Sequence, residues 1–207
     1  MAQLKSLDDL RRVIVEPRAT TRSKILDALD EQSIEFLKRC PFALVGTVSD
    51  DGKIEVSPKG DEPGFIRVED PKTLLIPERI GNNLAFGLTN MITNGKIGMI
   101  CLVPSTGETL RISGTAEIYD DADLVASLSS LGKPALLATR VRIQHCYFHC
   151  ARSIVRAKLW DPKAWLAPGR VSFGRIIAPR VGAGADVAAE IDASVEGAYT
   201  TRLWKNS

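Results

Sequence analysis

Two short segments carry side chains suited to holding an anion. Ser57 and Lys59 stand two residues apart at the end of an alternating polar–apolar stretch, so they share one face of a strand. A hydroxyl beside an ammonium suits a phosphate or a carboxylate, and Gly60 lets the chain turn close to a ligand. The plainer alternative is a solvated strand end. Ile76-Pro77-Glu78-Arg79-Ile80-Gly81-Asn82-Asn83 reads as a strand, a glycine turn and the first residues of a helix. Backbone N–H groups and the positive dipole end at a helix start attract anions. There Asn82 or Asn83 donates to a phosphate while the other caps the helix, or both residues act purely in capping.

Thr109 and Arg111 share a second strand face, with Leu110 and Ile112 turned toward the core. An arginine in mid-strand is costly unless paired or wet, and either Glu117 or a bound anion would neutralise it. Further on, His149, Arg152, Arg156, Lys158, Trp160 and Trp165 interleave cations with aromatics. Such a segment either clamps a planar aromatic ligand or forms an exposed helix whose tryptophans fill the core. His145-Cys146-Tyr147-Phe148-His149-Cys150 gathers both histidines and two of the four cysteines, all zinc-ligand types. On a strand, however, the two histidines face one way and the two cysteines the other, and no second ligand pair occurs elsewhere. No metal is expected. No Walker segment, GxGxxG or GxSxG is present, which argues against a nucleoside triphosphate, a Rossmann dinucleotide or serine-hydrolase chemistry.

The elements that must position these residues follow from periodicity. A helix is expected after Ser6, and another over Asp30–Arg39, ended by Pro41. Strands are expected over Phe42–Val48 and Lys53–Ser57 around an Asp51-Gly52 turn, then, after a short extended piece at Phe65–Val68, over Thr73–Pro77. Lys59–Gly64 reads as a loop. A helix is expected from Asn82 to Asn94-Gly95 and another from Asp121 to Leu131. Strands are expected over Lys96–Val103, Thr109–Ile118 and Val141–Cys150, with a helix over Ser153–Leu159. From Pro168 the pattern is ambiguous. Turns as short as Ser105-Thr106-Gly107 exclude parallel crossovers, so five or six antiparallel strands with a few helices point to an α+β fold on a small β-barrel.

Length and charge bound the rest. The 207 residues suit one domain, with a helical preface over about 1–40 and a C-terminal extension over about 168–207. Lys plus Arg is 27 against 25 Asp plus Glu, and so small an excess argues against an extended nucleic-acid surface. The apolar run Ile97–Val103 is far short of the roughly 20 residues of a membrane span. With no signal core and no disulfide framework expected, the protein reads as cytoplasmic.

In the order of its segments the chain resembles the FMN-binding split β-barrel flavoproteins related to pyridoxamine 5'-phosphate oxidase. The likeness rests on Ser57-Pro58-Lys59-Gly60-Asp61, Gly81-Asn82-Asn83 and Arg156-Ala157-Lys158-Leu159-Trp160-Asp161-Pro162, and spans about residues 30–167. It implies an antiparallel split β-barrel with peripheral helices and a homodimer with FMN at the subunit interface. It also implies an FMN-dependent oxidoreductase acting on a small molecule, the alternative being a non-catalytic flavin- or haem-binding protein. Residue by residue, Val56, Ser57 and Lys59 would contact the flavin, and Ile76 and Pro77 would line its isoalloxazine. Asn82 and Asn83 would hold the phosphate, and Thr109 and Arg111 would reach in from the other subunit. His149, Arg156, Lys158 and Trp160 would close the pocket.

Two departures qualify what carries over. The family's basic pair in the phosphate turn is Asn82-Asn83 here, leaving the dianion to Lys59, Arg111 or another cation. The Arg-Leu-His-x-Arg segment that binds the vitamin B6 phosphate is replaced by Lys158-Leu159-Trp160-Asp161-Pro162. The resemblance therefore does not extend to B6 oxidation.

Overall fold

A computed structural model describes residues 3–81, 83–201 and 203–204. Three helices come first: α1 (Leu7–Val13), α2 (Ala19–Arg22) and α3 (Glu31–Lys38). The Ser6 and Asp30 side chains accept from the third backbone N–H of α1 and α3 respectively, satisfying donors that have no partner inside the helix. Seven strands follow, interrupted by α4 (Phe86–Asn94) and α5 (Ala122–Ser127). They are β1 (Phe42–Val48), β2 (Ile54–Gly60), β3 (Arg67–Asp70), β4 (Thr73–Glu78), β5 (Lys96–Leu102), β6 (Thr109–Tyr119) and β7 (Leu137–His149). After β7 come α6 (Arg152–Ala157), α7 (Phe173–Ile177) and α8 (Ala185–Thr200).

All the strand pairings are antiparallel, in the order β2-β1-β5-β6-β7-β4-β3. This is the α+β, antiparallel split-barrel architecture expected from the sequence. The sheet curls over a core that includes Leu37, Leu74, Ile76, Leu110, Ile112 and Val141, each nearly inaccessible. Burying side chains of this size contributes roughly 1.5–3 kcal/mol apiece. Helix α3 closes one end of the core, its Phe36 ring meeting Phe148 edge-on at 5.3 Å.

Strand β4 explains its own unbroken apolar run. Leu74 and Ile76 face the main core, while Leu75 faces a smaller cluster with Leu128, Ala135 and Ala138, so both faces are covered. Pro77 lies beyond the end of β3, where one edge of β4 is unpaired and a missing N–H is tolerated.

Strand β6 changes register against β7 between Ser113 and Gly114. A Cβ at Gly114 would lie 1.9 Å from the Arg142 carbonyl oxygen, so only glycine permits that approach.

Several expected boundaries move. Lys59 and Gly60 belong to β2 and not to a loop, because the β1 ladder continues to Phe42 opposite Gly60. The short extended piece expected at Phe65–Val68 forms two residues later as β3, and with it the strands number seven. The helix expected from Asn82 begins at Phe86; Asn83 and Ala85 hold φ of 60° and 53°, which a helix cannot use, and Asn82 lies outside the described residues. Helix α5 stops at Ser127, and a turn with left-handed Leu131 and Gly132 follows. The ambiguous tail forms a hairpin of α7 and α8. There Asp192 accepts from Ser172 Oγ at 2.5 Å and from the Gly174 N–H at 2.8 Å. Among the described residues no helix is long and apolar enough to cross a membrane.

Candidate functional site

The end of β2 meets the end of β4 without backbone pairing, and side chains make the seam. Lys59 Nζ pairs with the Glu78 carboxylate. Arg79 Nε donates to Asp61 Oδ2 at 2.7 Å. Glu78 and Asp61 are both almost wholly buried, and such carboxylates remain charged only if paired and hydrogen-bonded. Glu78 Oε1 also accepts from Thr139 Oγ1 at 2.8 Å, and the remaining Arg79 nitrogens reach the carbonyls of Leu128 at 2.7 Å and Lys133 at 3.4 Å.

Above this seam lies a groove of about 610 Å³, bounded by β2 from Glu55 to Gly60, by Pro77–Gly81, and by the approach to α4. Its apolar wall includes Val56, Pro77, Leu136 and Leu137, and its polar edge includes Ser57 and Asn83. Helix α4 begins from left-handed Ala85 without a side-chain cap, so its first turn faces the groove uncapped. Beneath it Asn90 Nδ2 donates to Thr47 Oγ1 at 3.0 Å, fixing the helix to β1.

Five of the residues singled out in the sequence are therefore gathered in one concavity: Val56, Ser57, Lys59, Pro77 and Asn83. Ile76 is not among its walls; its side chain is 1% exposed and turned into the core, because strand alternation sends neighbours to opposite faces. Asn82 falls outside the described residues.

The remaining six are not among the residues that line this groove. Thr109 pairs with His149 and Arg111 with Tyr147 across β6 and β7. Arg111 Nη1 donates to the Tyr147 hydroxyl at 3.3 Å and stands 5.8 Å from the ring centre, with Lys24 on the same ring at 5.0 Å. Glu117, the intramolecular partner considered for Arg111, instead accepts from the Tyr119 hydroxyl. The His149 ring lies 5.0 Å from that of Tyr147. Burial, and then the charges of Lys24 and Arg111, hold its pKa below the ordinary value. Arg156 and Lys158 are exposed at the end of α6, and Trp160 Nε1 donates to the Thr106 carbonyl at 2.8 Å. Within one chain this set does not line the groove.

Sequence reasoning passed over Asp61, Glu78 and Arg79 as functional residues. The available signal was complementary charge, a basic–acidic pair at Lys59 and Asp61 set against the acidic–basic Glu78-Arg79. For Leu136 and Leu137 no local signal existed. Among the described residues no three His, Cys, Asp or Glu side chains converge as a metal site.

A family model described as pyridoxamine 5'-phosphate oxidase matches residues 29–150. No curated protein matches the chain. Among solved structures, HupZ of Group A Streptococcus is 18% identical with a TM-score of 0.47, covering 58% of this chain and 93% of its own. A candidate pyridoxamine 5'-phosphate oxidase of Lactobacillus delbrueckii is 22% identical with a TM-score of 0.45, covering 59% and 95%. An FAD-binding protein of Mycobacterium smegmatis is 17% identical with a TM-score of 0.42, covering 60% and 97%.

Proposed function

The chain belongs to the pyridoxamine 5'-phosphate oxidase family, and from that premise we propose that it is a cytoplasmic flavoprotein that holds FMN in the groove and works as an FMN-dependent oxidoreductase on a small molecule. One observation carries this reading: a single concavity gathers Val56, Ser57, Lys59, Pro77 and Asn83 beside the uncapped start of α4. Its volume falls within the range that buries a cofactor-sized ligand. The residues fit the group chemically. Pro77, Leu136 and Leu137 offer an apolar wall to a planar ring, while Ser57, Asn83 and the first turn of α4 offer donors to polar atoms and a phosphate.

A bound flavin supplies hydride or electron transfer; the chain supplies position, dryness and hydrogen bonds. Lys59 and Arg79 are already neutralised by Glu78 and Asp61, so neither is a free counter-ion. Arg111 of a second copy is the cation we assign to the phosphate. Support for a homodimer comes from the outer face of β2, β1 and β5, where Ile54, Val56, Phe42, Leu44 and Ile100 are exposed side by side. An apolar patch of this kind marks an interface, and it runs directly into Arg111, which pairs with Ile100.

The test is the absorbance spectrum and mass of whatever copurifies, followed by titration with FMN, FAD and a deazaflavin. Bound FMN, reducible by NADH or NADPH, is the expected result. Absence of flavin binding under all three titrations overturns the reading, and bound flavin that no reductant reduces leaves only a binder.

A further inference from the structure

The C-terminal extension lies outside the family-matched residues 29–150, yet its end reaches back to the groove. Leu203 and Trp204 line a small cavity together with Arg79, Ile80 and Leu136, three residues that also line the groove. Between them is a cavity of about 30 Å³, room for one or two waters. The indole of Trp204 lies 5.6 Å from the Arg79 guanidinium carbon. Arg79 is thus engaged along its edge by Asp61, Leu128 and Lys133 and across its face by Trp204.

That arrangement makes Arg79 a junction between four separate stretches of chain. One of them, ending at Asp61, is the segment that carries Ser57 and Lys59. A guanidinium with its hydrogen bonds made at the edge still has two faces, and an aromatic ring on one face restricts the whole group. Asp61, one residue beyond β2, is held by its backbone N–H on the Pro41 carbonyl at 3.1 Å and through its side chain by that guanidinium.

Resting on the flavoprotein reading above, we propose that Trp204 is a positioning residue for the flavin groove, acting through Arg79. The tail that delivers it is built for placement. Gly174 in α7 approaches α8 so closely that a Cβ would lie 1.9 Å from the Ala188 carbonyl oxygen, and Asp192 ties the start of α7 to α8. Trp204 follows four residues beyond the last residue of α8, Thr200.

The experiment compares FMN release from the full chain, Trp204→Ala, Trp204→Phe, and a chain shortened after Thr200, by stopped-flow flavin fluorescence. Trp204→Ala and the shortened chain should release FMN about three- to tenfold faster, as expected for loss of one cation–π contact. Trp204→Phe, which keeps a ring face, should restore most of the difference. In an Arg79→Met background, Trp204→Ala should have no further effect. Thermal unfolding of each variant establishes that it is folded.

Equal release rates across the series overturn the proposal, as does an undiminished effect of Trp204→Ala without Arg79. A full chain that binds no flavin at all overturns the flavoprotein reading instead, and this role with it.

Discussion

Lys59 and Glu78 form an ion pair across the seam where β2 meets β4, and Glu78 holds Thr139 of β7 at the same time. One buried carboxylate therefore joins three strands, two of which share no backbone ladder. The split in the barrel is bridged by charge at this point.

Removing the ammonium should cost stability. Lys59→Met strands Glu78 without its counter-ion, and we expect a loss of about 2–4 kcal/mol in urea unfolding, reduced from the fully buried case because Lys59 is partly solvated. Replacing both, Lys59→Met with Glu78→Leu, should recover at least half of that. A double variant no more stable than the single one would show that the pair is not what holds the seam.

Arg111 should behave in the opposite way. It is exposed and bonded only weakly to Tyr147, so Arg111→Ala should leave unfolding unchanged within about 0.5 kcal/mol. FMN affinity should fall by about 1.5–3 kcal/mol, the worth of a charge-assisted hydrogen bond. Isothermal titration with FMN measures it, and unaltered affinity would remove Arg111 from the phosphate.

His149 offers a pH test. Burial and the neighbouring charges of Lys24 and Arg111 depress its folded pKa, so the unfolded chain takes up this proton first as the pH falls. Its contribution to stability is present above about 6.5 and is lost on acidification through the lower folded value. An NMR titration of the imidazole should give a midpoint below the ordinary one, moving upward in Lys24→Ala and Arg111→Ala. A midpoint that ignores both substitutions would contradict the assigned charges.

The cysteines divide sharply. Cys150 is exposed, its thiol pKa lowered by the Arg152 backbone N–H and then by the Arg152 and Lys24 charges; Cys40, Cys101 and Cys146 are buried. Ellman's reagent should titrate one thiol quickly in the native protein and four after denaturation, with the fast phase absent from Cys150→Ser. Two fast thiols would mean that the core opens on the timescale of the assay.

How much of this could be read from the residues varies with the range of the interaction. Strands such as Phe42–Val48 and Thr109–Tyr119 are legible because alternation follows from one buried face, and the caps at Ser6 and Asp121 because capping is local. The start of α4 is not, since left-handed Asn83 and Ala85 defeat the ordinary capping pattern. Ser57 and Lys59 are legible as a shared face, whereas the Glu78 partner arrives through curling of the whole sheet. Arg111 and His149 are legible as residues suited to a ligand, but their placement outside the groove depends on strand order. Trp204 gave no hint of its destination.

The approach to α4 sets stability against use. Left-handed backbone at Asn83 and Ala85 costs roughly 1–2 kcal/mol at a residue with a Cβ, less at asparagine. Glycine at 85 would relieve that cost and firm the fold. The same substitution would free the loop to wander, and the first turn of α4 would no longer be aimed at the groove by default. On the flavoprotein reading proposed above, the strain at Ala85 is the cost of holding that turn in place beside the groove.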